Sequence, residues 1–268
     1  DATNQTLNSA YAALLAWWLA TPAGAALARV SVLSNPIGAD GADALIQVFN
    51  QNTNLRTLLG IEEGVTEVNL SKKNVDPGQA KILAAELKAS RATAAINSLA
   101  VGSNPIGDEA MAELLDGLKD VSLTSLDISK TKSGVSTATK LAELLSEETA
   151  FKAAVNSLTL DSNGIFGELY PSGNVKQADK FVVEVQPLLD ALKTSSITSL
   201  SLRSTGMGVK GVVAVADVIR AMAALARVSV LSNPIGTDGA DALIQVFEQN
   251  TNLRTLLGIE EGVTEVNL

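Results

Sequence analysis

Apolar residues recur along the chain in a compound rhythm: a short alternation, a polar turn, then a spacing of four. In LARVSVLSNPIG the apolar positions are Leu27, Val30 and Val32, followed by Asn35 and Ile37. Val30 and Val32 alternate with polar neighbours, which predicts a short strand with one buried face. Leu45 and Phe49 come eight and twelve residues after Ile37, a spacing that puts both side chains on one helical face. The rhythm returns as Val65-Val68-Leu70-Val75, Ile96-Leu99-Val101-Ile106, Leu123-Leu126-Ile128, Val155-Leu158-Leu160-Ile165 and Ile197-Leu200-Leu202-Met207, then restarts at Leu225 and again at Val263-Val266-Leu268. The helical pairs Leu83/Leu87, Leu114/Leu118, Leu141/Leu145 and Val215/Ile219 hold the same distance from their turns. Each unit therefore predicts strand, turn and helix. Neither element buries its apolar side alone, so neighbouring units must stack.

A coarser repeat overlies this one. Residues 25–70 recur as 223–268 at an offset of 198, changed only at Ala39/Thr237 and Asn50/Glu248. Recent duplication, a many-copy array and engineering would each produce such a pair.

The recurring strand, asparagine, Ile-Gly turn and helix positions resemble the ribonuclease-inhibitor-like type of leucine-rich repeat, LxxLxLxxNxIGxxGxxxLxxxL, over residues 27–268. The connector TLLGIEEGVTEVNL is similar to forms in unicellular algae and other protists. The resemblance implies an α/β leucine-rich-repeat solenoid, curved, with a parallel β-sheet on the concave face and helices on the convex face. It also implies protein partners lying against the concave strands and ascending loops. Lys73, Thr131 and Thr205 replace the turn asparagine and Ser133 replaces the turn apolar residue. An asparagine amide offers both donors and an acceptor, so those units are expected to have a weaker buried turn.

Composition narrows the chemistry. Apolar residues make up 46% of the 268 but aromatics only 3%, so the core is built from Leu, Val, Ile and Ala. A net charge of −9 argues against nucleic acid as a partner, since phosphate backbones require a cationic surface. The absence of Cys and His excludes disulfides, thiolate nucleophiles, zinc fingers and imidazole bases. Glu62 and Glu63, repeated as Glu260 and Glu261, are adjacent carboxylates on a connector and read as a solvated tip. Gly206-Met-Gly208-Val-Lys-Gly211 satisfies GxGxxG between a strand and a helix, the dinucleotide context. It aligns with the repeat's own turn at residues 35–41, however, and no acidic residue ends the next strand. No catalytic, metal or cofactor residues are assigned.

Three places are candidates for protein contact. The first is the amino-terminal stretch, residues 1–26, expected to be an apolar capping helix ahead of a solenoid spanning 27–268. At the 198-residue offset, Leu19 and Pro22 stand where the later helix has Asp217 and Arg220. A side that should meet water has thus become apolar, and Trp17 and Trp18 add indole area. No charge occurs between Ala2 and Ala28, but polar residues and Pro22 interrupt the stretch as a membrane span. The second is the insertion GIFGELYPSGNVKQADKF, where Phe166 and Phe181 are expected to form a satellite core and Tyr170 to face a partner. The third is the edge at Leu268, which matches Leu70, where the first copy runs on into SKKNVDPGQAKILAAEL. Solenoid ends need polar caps. The chain is thus expected to be a segment of a longer array, or to join copies of itself end to end.

The outward strand residues, among them Ser98, Ser125, Ser157 and Ser199, are small and lack the anchors of a tight interface. Asn4 and Asn69 are glycan acceptors if the chain is secreted. The reading is a non-enzymatic protein-interaction or structural scaffold. The alternative is an accessory subunit docked on a membrane or organellar complex through the Trp17-Trp18 helix.

Overall fold

The computed structural model describes residues 2–258. Its helices are α1 (Ser9–Leu19), α2 (Gly38–Gln51), α3 (Pro77–Ala89), α4 (Asp108–Asp116), α5 (Val135–Ser146), α6 (Ala150–Ala154), α7 (Gln186–Lys193), α8 (Val209–Ala221) and α9 (Gly236–Gln249). Its strands are β1 (Glu67–Asn69), β2 (Ser98–Ala100), β3 (Ser125–Asp127), β4 (Ser157–Thr159), β5 (Glu168–Leu169), β6 (Val175–Gln177), β7 (Ser199–Ser201) and β8 (Arg227–Ser229). Six strands form one parallel sheet in the order β1-β2-β3-β4-β7-β8, while β5 and β6 pair as an antiparallel hairpin. Each long helix packs on the next, with α6 an extra turn beside α5. The chain is an α/β solenoid of stacked strand-turn-helix units, with the sheet as one layer and the helices as the other.

Register follows the rhythm of the sequence. Val68, Leu99, Leu126, Leu158, Leu200 and Val228 are Cα partners across the sheet and all are buried. The helical pairs Leu83/Leu87, Leu141/Leu145 and Val215/Ile219 bury against this row. Each such side chain stabilises the stack by roughly 1.5–3 kcal/mol.

Hydrophobic contact is non-directional, and the turn asparagines supply the direction. Asn163 Nδ2 donates to the carbonyls of Leu160 in its own unit (3.1 Å) and Ile128 in the preceding one (2.8 Å). Its Oδ1 accepts from the Thr131 and Ser133 N–H groups, each at 3.0 Å. Asn35, Asn104 and Asn233 make the same bridge at their own seams. Thr131 and Thr205 donate to their own strand end, to Ile128 at 2.8 Å and Leu202 at 3.0 Å, but neither hydroxyl reaches a carbonyl of the preceding unit. At Lys73 the missing amide is supplied from elsewhere: Gln79, fully buried in the first turn of α3, donates to the carbonyls of Val32 (2.8 Å) and Asn35 (3.1 Å).

The connector between the first two units is held from the helix layer. Arg29 and Thr57 bridge in parallel, so residues 56–59, not β1, run beside the first unit's extended segment. Glu86 of α3 is buried and its carboxylate accepts from the N–H groups of Leu58 and Leu59 and from the Thr57 hydroxyl. Burial raises its pKa to about 7 against the opposing pull of those hydrogen bonds. Glu62 and Glu63 at the tip are exposed and pair with Arg29 and Arg56. Glu260 and Glu261 lie outside the described residues.

Two expectations from the pattern change in the structure. Phe166 is fully buried in the main core rather than in a satellite, because its N–H pairs with the Thr205 carbonyl at 3.0 Å and draws it into the stack. Phe181 stays half-buried beneath the Lys180 ammonium. Leu27, read as the first rung, is exposed, whereas its counterpart Leu225 is buried. The connector ahead of Leu27 closes as a short 3-10 turn, Gly24–Ala26, and leaves that rung outside.

Asn163→Ala removes the amide's bonds to the Leu160 carbonyl and to the Thr131 and Ser133 N–H groups, while Ile128 keeps the Thr131 hydroxyl, so it should cost roughly 2–4 kcal/mol in urea unfolding, against about 1 kcal/mol for Thr205→Val. The raised pKa of Glu86 means the folded chain binds a proton more readily than the unfolded one. Its contribution is therefore full below the ordinary value of 4.5 and declines as pH rises through about 7. Melting temperatures across that window should fall with pH more steeply for the wild type than for Glu86→Gln.

Candidate functional site

The amino-terminal edge is built as a repeat unit lacking polar dress. Ala2 N donates to Ser31 O (2.9 Å), Asn4 N to Leu33 O (3.0 Å) and Leu7 N to Asn35 Oδ1 (2.9 Å). Leu202, Ser204 and Met207 make the same three bonds to Ser229, Leu231 and Asn233. Residues 2–7 thus take the place of a strand end and ascending loop, and Asn8 caps α1 by accepting from Tyr11 N. Gly41 of α2 faces Ala12 so closely that a Cβ there would collide with it, which lets α1 lie hard against α2.

These bonds set the offset between the two copies at 200 for α1, where ungapped alignment places it at 198. Two additional residues are hidden in the connector before Leu27. Leu19 consequently stands opposite Ile219 and is fully buried, so it is not a contact residue. The place of the exposed, ion-paired Asp217 falls instead to Trp17, which is 66% exposed. Tyr11, Leu14 and Trp18 are exposed beside it, and Ala12, Ala16 and Leu19 form the buried side.

With Leu7, Leu15, Gln5 and Thr6, these side chains line an open groove of about 610 Å³. No charged residue lies among its lining groups. Its chemistry is therefore that of an apolar contact surface with an indole and a phenol edge for hydrogen bonding. A second hollow of about 750 Å³ lies over α2–α5, lined by Lys81, Lys88, Lys140, Glu109, Glu113 and Asp116 among small apolar groups. Its cations are already paired, Lys88 with Asp116 and Lys140 with Glu143.

The other candidates are dispersed. Tyr170 is exposed on the β5–β6 hairpin, which Glu168 fastens to Lys176 and Lys180. Those two ammonium groups hold the Glu168 carboxyl down at about 2. Leu268 lies outside the described residues. On the sheet face, Ser98, Ser125, Ser157 and Ser199 stand in register between Glu67 and Arg227. Asn4 and Asn69 are both exposed.

The GxGxxG segment has an occupant of its own. The N–H groups of Gly208, Lys210 and Gly211 donate to the Asp179 carboxylate at 2.7–2.9 Å, filling the helix terminus where a phosphate would bind. A Cβ on Gly206 would meet the Gly167 backbone, and one on Gly208 or Gly211 would meet Asp179, so packing accounts for all three glycines. Asp108 caps α5 in the same manner, through Gly134, Ser136 and Thr137. Burial pushes the Asp108 pKa up, but the Thr137 hydroxyl and these N–H groups outweigh it and hold the carboxyl below its usual range. Among the described residues no three His, Cys, Asp or Glu side chains form a group able to hold a metal ion. None of the described helices is long and apolar enough to cross a membrane.

No protein-family model matches the sequence, and the search of curated proteins found no match. Solved structures with a similar course include leiomodin-1 actin-binding site 2, at 15% identity and TM-score 0.42, covering 80% of this chain and 92% of that one. An internalin from Listeria monocytogenes matches at 15% identity and TM-score 0.37, covering 79% of this chain and 58% of the internalin. At these values neither likeness bears on function.

The reassignment on α1 is open to direct measurement. Leu19→Ala should lose roughly 2–4 kcal/mol by chemical denaturation, while Trp17→Ser should change stability by less than about 0.5 kcal/mol. Equal losses would restore the ungapped alignment.

Proposed function

We propose that the protein is a non-enzymatic interaction scaffold whose contact surface is the amino-terminal edge, with Tyr11, Leu14, Trp17 and Trp18 as anchors. The carrying observation is that α1 stands in the place of helices such as α8 but turns these four apolar side chains to water. Exposed contiguous apolar groups mark contacts, and Trp and Tyr are the residue types that dominate them. Because no charged side chain is among the groove's described lining residues, an acidic partner meets no repulsion from them on a chain of net charge −9. The presence of an α-helix after each main-sheet turn supports the ribonuclease-inhibitor-like subtype. Tyr170 is a secondary contact in this reading, on a hairpin made stiff by its ion pairs.

The membrane-complex alternative uses the same edge, so the two readings share a surface and differ in occupant. The deciding experiment compares the wild type with a Leu14→Ser/Trp17→Ser/Trp18→Ser variant of matched circular dichroism. Proteins enriched from the native source by the wild type should be lost with the variant. Equal recovery by both would sink the assignment. Selective recovery of integral membrane proteins, together with cosedimentation on anionic vesicles that the variant abolishes, would favour the alternative.

A further inference from the structure

The four turn asparagines share one local geometry but not one neighbour. At each of them the N–H two residues on donates back to the asparagine carbonyl at 2.9 Å: Ile37 to Asn35, Ile106 to Asn104, Ile165 to Asn163 and Ile235 to Asn233. The residue between is Pro36, Pro105 or Pro234 at three of these turns and Gly164 at the fourth. Packing accounts for the glycine. Its N–H donates to the Ser133 carbonyl at 2.9 Å, a bond no proline makes, and a Cβ there would lie 3.1 Å from the Gly167 carbonyl oxygen.

The glycine also changes the chemistry open to the amide beside it. A backbone nitrogen that carries a proton can attack the side-chain carbonyl carbon of a preceding asparagine and close a cyclic imide, whereas a prolyl nitrogen has no proton to lose. Attack is least hindered where the following residue has no Cβ. Asn163-Gly164 is the one Asn-Gly pair in the sequence. The Gly164 N–H proton passes to solvent, a bond forms from Gly164 N to Asn163 Cγ, the Cγ–Nδ2 bond breaks, and ammonia leaves. Water then opens the ring at Cγ to give aspartate, or at the backbone carbonyl carbon to give isoaspartate with the main chain running through Cγ. Each event consumes one water and releases one ammonia, and nothing is oxidised or reduced.

In the closed seam neither reacting group is free. The Gly164 N–H is committed to Ser133 in the preceding unit, and the fully buried Asn163 amide is held by the Leu160 and Ile128 carbonyls and by the Thr131 and Ser133 N–H groups. We propose that Asn163-Gly164 is a conformation-gated modification site, an amide that hydrolyses through a cyclic imide when its seam opens and then keeps that seam from closing. The second half follows from the same bonds. Nδ2 stands 2.8 and 3.1 Å from two carbonyl oxygens, so an oxygen in its place turns two attractions into repulsions. The groups that hold the amide, from Ile128, Thr131, Ser133 and Leu160, carry no positive charge to offset a buried carboxylate. Isoaspartate also lengthens the turn by one backbone carbon. Asn35, Asn104 and Asn233 carry out the same bridging with the imide route closed by proline.

Peptide mass spectrometry on the full chain tests this, with samples held at mildly alkaline pH both folded and in urea. In urea, position 163 should convert to aspartate and isoaspartate while Asn35, Asn104 and Asn233 stay amides, and Gly164→Ala should slow the conversion where folding plays no part. In the folded chain the conversion should be slower by roughly tenfold or more, since it waits on local opening. The lasting effect is read on Asn163→Asp, which reproduces one product. Its urea midpoint should lie below that of the wild type at neutral pH, and the deficit should shrink as acid turns the new carboxylate back into a hydrogen-bond donor. No conversion at position 163 in urea would overturn the site, and equal rates folded and unfolded would overturn the gating. An Asn163→Asp chain as stable as the wild type at neutral pH would show that the seam closes again, which overturns the rest.

Discussion

The side-chain amide that bridges neighbouring units at Asn35, Asn104, Asn163 and Asn233 is the constraint on which the stack depends. Leucine rungs attract one another at many separations, but the asparagine side chain reaches one strand end in its own unit and one in the unit before. It thereby sets the seam at the spacing of paired strands. It also answers backbone groups that the turn from strand to helix leaves unpaired, which would otherwise be costly in a dry interior. Asn163 does this with four bonds where Thr205 does it with one good one. The seams are thus unequal by construction, and opening should begin where threonine stands.

Carboxylates perform the corresponding task in the helix layer. Asp76, Asp108 and Asp179 each cap a helix, and Asp108 and Asp179 reach forward to one built from later residues. Glu86 reaches back to a connector instead. Part of the chain's acidity is therefore internal architecture rather than surface display. The same arrangement explains why a dinucleotide-like glycine pattern appears without a phosphate site: Asp179 is the anion at that terminus.

The periodic part of the fold was legible because burial there depends on local spacing. Val68, Leu99 and Leu126 are buried wherever the alternation placed them, and the helical pairs follow at their distance of four. Three things were not legible. Gln79 could not be matched to the missing asparagine at Lys73, because the substitute comes from a helix and answers carbonyls more than forty residues away. Leu19 was placed on the wrong side because an ungapped alignment cannot show two residues hidden in a connector. The signal was present in the spacing Ala12-Ala16-Leu19, which is a helical face in its own right. Phe166 read as part of a satellite core with Phe181, although Gly164 and Gly167 around it mark a chain forced close to its neighbour.

The near-duplicate sequences separate two ideas that are easily merged, being apolar and being core. Phe49 and Phe247 lie in the same stretch of sequence save for Asn50/Glu248 beside them, yet only the one beneath α3 is buried. Core status is conferred by the next unit, so each end of such a stack exposes residues whose composition is that of an interior. The helices α1 and α9 differ in what they expose. At α1 the surface that would meet a preceding helix carries Tyr11, Leu14, Trp17 and Trp18 and no charge, which suits adaptable contact with varied apolar partners. At α9, Phe247 and Leu257 keep the chemistry of residues that their counterparts Phe49 and Leu59 bury beneath α3.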